Sequence, residues 1–194
     1  MQIECAPEKK VEDSMKKQTG FSLVELVIVI VVVGLLAVAA LPKFLDITDE
    51  AKKASIEGVA GGFATAVLSA RAQWEAESRP QVNSVNVVDY DGVDFILTDS
   101  SNNSGFRDGY PLAVSSTANS GATGATNAIC LELMENLLQN PPTVVENDTS
   151  DADARYSAAA TNSGTCTYTQ LEGSTNHNFE YDITTGRVLV NLTN

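Results

Sequence analysis

The sequence has few basic residues, few cysteines and a single histidine, and each shortage excludes a class of function. Twelve Lys and Arg stand against 25 Asp and Glu, for a formal net charge of -13. A protein of that charge repels polyanions, so we expect no nucleic-acid partner. The one histidine, His177, lacks a neighbouring nucleophile or metal-binding pattern, which predicts a surface histidine rather than a catalytic one. We assign no catalytic residue, no metal and no cofactor, and expect a protein that is not an enzyme.

Cysteine occurs only three times, at Cys5, Cys130 and Cys166. The last two are 36 positions apart, unlike the ligands of a metal knuckle. In an exported domain they predict one disulfide bounding the region 130–166, and in a cytosolic protein they would be two buried thiols. This region contains a group of acidic residues that predicts a solvated loop rather than a calcium site, since their spacing is not that of an EF-hand: Glu146, Asp148, Asp151 and Asp153.

A long apolar run occupies residues 21–41 and contains one charged residue, Glu25. As a helix it would span about 30 Å, the thickness of a bilayer's hydrocarbon core. The basic pair Lys16 and Lys17 precedes it, which places the amino terminus in the cytoplasm and the rest outside. The run has three alternative interpretations: a plain anchor, a buried core helix and a secretory signal peptide cut near Ala39. The acid near its start, its length and the helical pattern beyond it count against the signal peptide.

Glu25 is the informative residue of the run. A carboxylate in lipid costs about 2–3 kcal/mol on insertion scales, so Glu25 is expected to have a positively charged partner. Cleavage after Gly20 would create an α-amino group on Phe21, one helical turn before Glu25. The carboxylate could pair with its own amine, or with that of a neighbouring subunit, which would also align the subunits. The sequence leaves both pairings open.

The segment KKQTGFSLVE at residues 16–25 resembles the type IV prepilin signature, in which a basic leader ends in Gly and is followed by Phe and, at the fifth mature position, Glu. The resemblance implies that prepilin peptidase cuts between Gly20 and Phe21, that Phe21 is N-methylated and that Glu25 acts in filament assembly. Leaders of this class are short. We therefore expect that, within the leader peptide 1–20, translation truly begins at Met15.

The helical pattern continues beyond the apolar run and becomes amphipathic. We predict a transmembrane and filament-core helix over 21–41, an amphipathic second half over 42–78 and a globular head over 79–194. Residues 98–126 predict a surface loop, and residues 127–139 a short helix with Asn127 as N-cap. Strands are predicted at 85–89 and 93–97, joined at Asp91-Gly92, and at 165–171, 177–183 and 187–192. The fold class is α+β.

Four later segments, SARAQW, DGYP, CLELMENLLQNPP and GTCTYTQ, resemble in this order pilins of the mannose-sensitive haemagglutinin (MSHA) type. The resemblance implies the type IV pilin fold, with the long helix packed on an antiparallel sheet.

The same resemblance implies a Gram-negative surface pilus used in attachment and biofilm formation. Its partners would be other pilin subunits, with possible minor pilins, prepilin peptidase, the assembly machinery and, before assembly, the inner membrane, with the head in the periplasm. The alternatives are a type II secretion pseudopilin and a secreted binding protein with an ordinary signal peptide.

Overall fold

The computed structural model describes residues 21–101, 105–115, 124–151, 153–162, 164–172 and 176–193. The predicted leader, with Gly20, Met15 and Cys5, lies outside the described residues. The chain divides into two compact units, Met1–Asp46 and Ile47–Asn194. One helix, α1 (Leu23–Ala76), contributes its first part to the first unit and the remainder to the second.

In the second unit, α1 buries one face. The buried residues recur at intervals of three or four, which is the spacing of a single helical stripe: Ile56, Ala60, Phe63, Ala66, Val67, Ala70 and Trp74. Phe63 is central to this face, since its ring lies 5.4 Å from that of Tyr168 and 5.3 Å from that of Tyr181, centroid to centroid. Trp74 is buried at the end of the stripe, so it is part of the core.

A four-stranded antiparallel sheet follows α1. Two of its turns place both central residues at positive φ, as two-residue hairpins of type I′ require: Asn83 and Ser84 at 52° and 65°, and Asp91 and Gly92 at 55° and 81°. The Asp91-Gly92 hairpin predicted from the sequence is therefore confirmed. The strands lie in chain order: β1 (Gln81–Val82), β2 (Val85–Tyr90), β3 (Val93–Leu97) and β4 (Pro111–Val114).

The fourth strand corrects the sequence prediction of a surface loop over 98–126. All four residues of β4 are buried, and the strand pairs with β3 while packing against the second helix. A buried strand covered on both faces shows no alternation of polar and apolar residues. The four residues of β4 lie within a polar segment and do not alternate, so the sequence pattern did not predict a strand there.

The second helix, α2 (Asn127–Leu137), begins one residue away from the predicted cap. The N-cap is Thr126, whose hydroxyl accepts a hydrogen bond from the Ile129 N–H at 3.2 Å. Asn127 is the first helical residue, and its Oδ1 instead accepts the Ala160 N–H at 2.8 Å. The prediction that Asn127 is the N-cap was wrong, because a strand 33 residues away recruits its side chain.

A five-stranded sheet completes the head. The three predicted late strands are confirmed, whereas the other two, β5 and β6, are additional and form a parallel pair, so the sheet is mixed rather than wholly antiparallel. The strands lie in chain order: β5 (Val144–Glu146), β6 (Tyr156–Asn162), β7 (Thr165–Gln170), β8 (Asn178–Asp182) and β9 (Arg187–Asn191).

Hydrogen bonds between residues two positions apart restrain the acidic region between β5 and β6. Asp148 accepts from the Ser150 N–H at 2.8 Å and from the Ser150 hydroxyl at 2.7 Å, and these bonds lower the pKa of Asp148. Asp151 accepts the Asp153 N–H at 2.9 Å. Across the described residues, no three His, Cys, Asp or Glu side chains are grouped to hold a metal ion.

The single histidine gives a further correction of the sequence prediction. His177 was predicted to lie on the surface, but it is fully buried on the inner face of the five-stranded sheet. It directly precedes β8, where it continues the alternation that also buries Phe179 and Tyr181. The polar residues on either side of it in the sequence point away from the core and gave the misleading signal.

Candidate assembly site at the start of the apolar helix

The start of α1 is built by two residues that bond each other reciprocally. The Ser22 N–H donates to Oε2 of Glu25 at 2.9 Å, and the Glu25 N–H donates to Oγ of Ser22 at 3.2 Å. This Ser-x-x-Glu arrangement is a capping box, which satisfies two backbone donors that the first helical turn leaves unpaired. The negative carboxylate also lies at the positive end of the helix dipole.

The capping box directs the Glu25 carboxylate toward the amino end of the helix. The nitrogen that cleavage would convert into an α-amino group belongs to Phe21, adjacent in the chain to the Ser22 N–H that Glu25 binds. Phe21 itself is 90% exposed. The bond to Ser22 occupies Oε2, and a carboxylate accepts further hydrogen bonds at its other lone pairs. The geometry thus leaves Glu25 able to meet an ammonium group.

Beyond Glu25, α1 is apolar as far as Leu41, and no side chain in this stretch is buried. The segment Leu23–Leu41 has 19 residues and a mean hydropathy of 3.1, enough by length and composition to cross a membrane. Its Leu, Val and Ile side chains are exposed on every side of the helix. A surface so apolar requires lipid or other protein around it.

In the second unit, the structure joins Cys130 of α2 to Cys166 of β7 by a disulfide, with the two Cα atoms 5.4 Å apart. Both cysteines are fully buried. Beside the bridge, the Tyr168 hydroxyl donates to the Cys130 carbonyl at 2.8 Å, so the helix and the strand are held by two adjacent links.

Ser22 is the residue of this site that the sequence reasoning missed. Its signal was present, since Ser followed three residues later by Glu before an apolar run is the sequence signature of a capping box. Glu25 was interpreted only as a charge that needed a partner, which concealed its local role.

Comparison with known proteins places this motif in a family. Residues 15–41 match the family described as the prokaryotic N-terminal methylation motif. Over 121 residues the chain is 33% identical to the fimbrial protein EcpC of Eikenella corrodens, covering 54% of this chain and 78% of that protein. Over 54 residues it is 43% identical to the type IV narrow pilus major component PilA5 of Thermus thermophilus. That match covers 28% of this chain and 47% of PilA5, so the chain spans about half the length of this relative. No solved structure matches the chain significantly.

The matched motif contains Gly20, Phe21 and Glu25 together, and both relatives are pilus or fimbrial proteins. The type IV pilin resemblance is thereby confirmed, while the MSHA resemblance is not tested and stays a prediction. With the methylation motif, the fimbrial relative, the apolar helix and the α+β fold of the head all in agreement, this chain belongs to the type IV pilin family, whose members are structural subunits and not enzymes.

Proposed function

We propose that this chain is a subunit of a type IV pilus in which Phe21 is the first mature residue. In the filament, the helix surface of Leu23–Leu41 packs against the same surface of other copies. One observation carries the proposal. A 19-residue helical segment with no buried residue bears a single charge, and that charge lies at the end that carries the methylation motif.

The apolar segment serves two environments in succession. Before assembly it lies in the inner membrane with the head in the periplasm, and afterwards it lies within a bundle of identical helices. Lipid tails are as apolar as Leu or Val, so transfer from membrane to bundle gains little from the hydrophobic effect itself. Exposure of the bundle surface to water would cost about 25 cal/mol per Å², which holds the assembled filament together. The free energy that favours the filament over the membrane state must therefore come from other interactions and from the assembly machinery.

Glu25 supplies the most specific of those interactions. We assign its partner as the Phe21 amine of a neighbouring subunit, because that pairing neutralises two charges within an apolar bundle and also sets the register between copies. A charge left alone in such surroundings costs about 2–3 kcal/mol on insertion scales. The pairing of Glu25 with the Phe21 amine of the next copy joins two different sites, and such contacts generate a helical filament when the rotation between copies does not close into a ring.

The remaining parts of the proposal come from the sequence resemblance. The filament would be a surface pilus of a Gram-negative bacterium that mediates attachment and biofilm formation, as in MSHA-type pili. Prepilin peptidase would process the chain, and minor pilins could join the polymer.

Mass spectrometry of the mature chain from cells and from sheared surface filaments tests the proposal. We expect a methylated Phe21 as the first residue in both fractions. A mature chain that starts at Ala40 or Leu41 would instead identify a secreted protein with an ordinary signal peptide. Two results together would identify a pseudopilin. The correctly processed chain would be absent from sheared filaments, and deletion of its gene would block protein secretion. Loss of surface attachment in a deletion strain, restored by the gene, tests the attachment role.

A further inference from the structure

A row of polar side chains crosses one end of the five-stranded sheet on its buried face. Tyr156 of β6 pairs with Gln170 of β7, and the Gln170 N–H donates to the His177 carbonyl at 2.8 Å. The three residues are 2%, 3% and 0% exposed. They lie on the face that also carries Tyr168 and Phe179, which contact Phe63 of α1. The row is therefore enclosed between sheet and helix.

The contacts of His177 determine which ring nitrogen carries its proton. The Thr193 N–H lies 3.1 Å from Nδ1 of His177, and a backbone N–H can only donate. Nδ1 must then be the acceptor, and the proton of the neutral ring is on Nε2. The same contact fastens the segment that follows β9 to the histidine.

Nε2 of His177 and an acceptor on Gln170, its Oε1, are both buried without a hydrogen-bond partner among the described residues. Buried polar atoms in proteins are nearly always paired, either with protein or with ordered water. Gln170 and His177 follow the Thr169–Asn178 pair and share a backbone hydrogen bond, so the donor and the acceptor are on opposed residues. Opposed residues of an antiparallel pair have Cβ atoms about 4.5–5.5 Å apart.

We propose that Gln170 and His177 bind one internal water molecule. The water accepts the Nε2–H of His177 and donates to Oε1 of Gln170. Internal waters make about two to four hydrogen bonds, so these two partners are enough to hold one. The water site would connect β7 to the start of β8 and, through Nδ1, to the segment containing Thr193. The inference does not depend on the proposed pilus function.

Nuclear magnetic resonance of the full-length chain in detergent micelles tests the site. His177 is the single histidine of the sequence, so a tag without histidine makes its ring signals unambiguous. We expect nitrogen shifts of the Nε2–H tautomer and a cross-relaxation peak between this proton and water, with the sign of a long-lived bound molecule. The Nδ1–H tautomer, or an Nε2–H proton without a water peak, would overturn the proposal.

Substitution at Gln170 provides the second arm. Gln170→Met removes the acceptor while keeping a side chain of similar length, and we expect loss of the water peak with the Nε2–H tautomer retained. Thr169→Val is the matched control, because the adjacent residue of β7 faces the other side of the sheet, and the water peak should persist. A peak unchanged in Gln170→Met would refute the site. If Gln170→Met fails to fold, the measurement on the unsubstituted chain decides by itself.

Discussion

Ser22 and Glu25 exchange two hydrogen bonds at the start of α1, at 2.9 Å and 3.2 Å. The pair gives Glu25 a local role in beginning the helix that is distinct from neutralising a neighbour's amine. The two roles respond differently to substitution. Glutamine at position 25 can still complete a capping box but cannot neutralise an amine. Valine can do neither of these.

The first prediction separates these roles in the filament. We expect Glu25→Gln and Glu25→Val both to reduce the amount of subunit in sheared filaments by about tenfold or more, because each leaves an amine unpaired in an apolar bundle. Cleavage after Gly20 should continue in both variants. Ser22→Ala is the matched control, since it removes the hydroxyl but keeps the carboxylate, and it should assemble nearly normally. Normal assembly of Glu25→Gln beside failure of Glu25→Val would show that capping matters and charge does not.

The second prediction concerns a close approach of backbone and ring in the head. A Cβ atom on Gly186 would overlap the ring of Tyr110, and Gly186 has a φ of 72°. Gly92 has a similar φ of 81°, but among the described residues, its chain neighbours aside, no atom lies within 4 Å of an added Cβ. Gly92→Ala should therefore lower the free energy of unfolding by about 1–2 kcal/mol through backbone strain alone. We expect Gly186→Ala to cost about 1–3 kcal/mol more, through overpacking. Urea unfolding of the two variants measures the difference, and equal losses would contradict the contact.

The third prediction concerns the buried bridge. Replacing both Cys130 and Cys166 by alanine should lower the free energy of unfolding by roughly 3–4 kcal/mol, the chain-entropy value for a loop of this length. Because both cysteines are fully buried, the native protein should resist a thiol reductant and become reducible in urea. Maleimide labelling in a Cys5→Ser background, read by mass, measures this. Rapid labelling of the native protein after mild reduction would argue against a buried bridge.

The fourth prediction is a loss of stability at alkaline pH. Burial, reinforced by the Glu172 carboxylate, raises the pKa of Tyr156 to about 12, and burial raises the pKa of Tyr168 and Tyr181 well above the ordinary value. Between about pH 10, where an unfolded tyrosine ionises, and pH 12, the folded chain holds more protons than the unfolded one. Stability is thus fully present below about pH 10 and falls as pH rises through 12.

Unfolding measured at several pH values, together with tyrosinate absorbance, tests this dependence. The decline between pH 10 and 12 should become less steep in Tyr156→Phe, since that variant lacks one of the shifted groups. Complete ionisation of all tyrosines near pH 10 in a chain that remains folded would contradict the burial of these hydroxyls.

The N-cap of α2 could not be predicted from the neighbouring residues alone. Thr126 and Asn127 are adjacent, and both residue types cap helices well. The Ala160 N–H donates to the side chain of Asn127, so that side chain does not cap the helix. Thr126 is the N-cap instead. The Asp91-Gly92 turn was different, because the positive φ at both positions is a preference of those residues themselves.

By itself, the sequence determined the apolar helix, its single charge and the motif at its start, because hydropathy, capping and turn preferences depend on residues within a few positions of each other. Only the tertiary structure decided that Pro111–Val114 is a strand, that β5 and β6 form a parallel pair and that His177 is buried. These features depend on partners distant in the chain. Strand pairing and burial are set by what lies across the sheet, and short or polar segments carry no local pattern that reveals it.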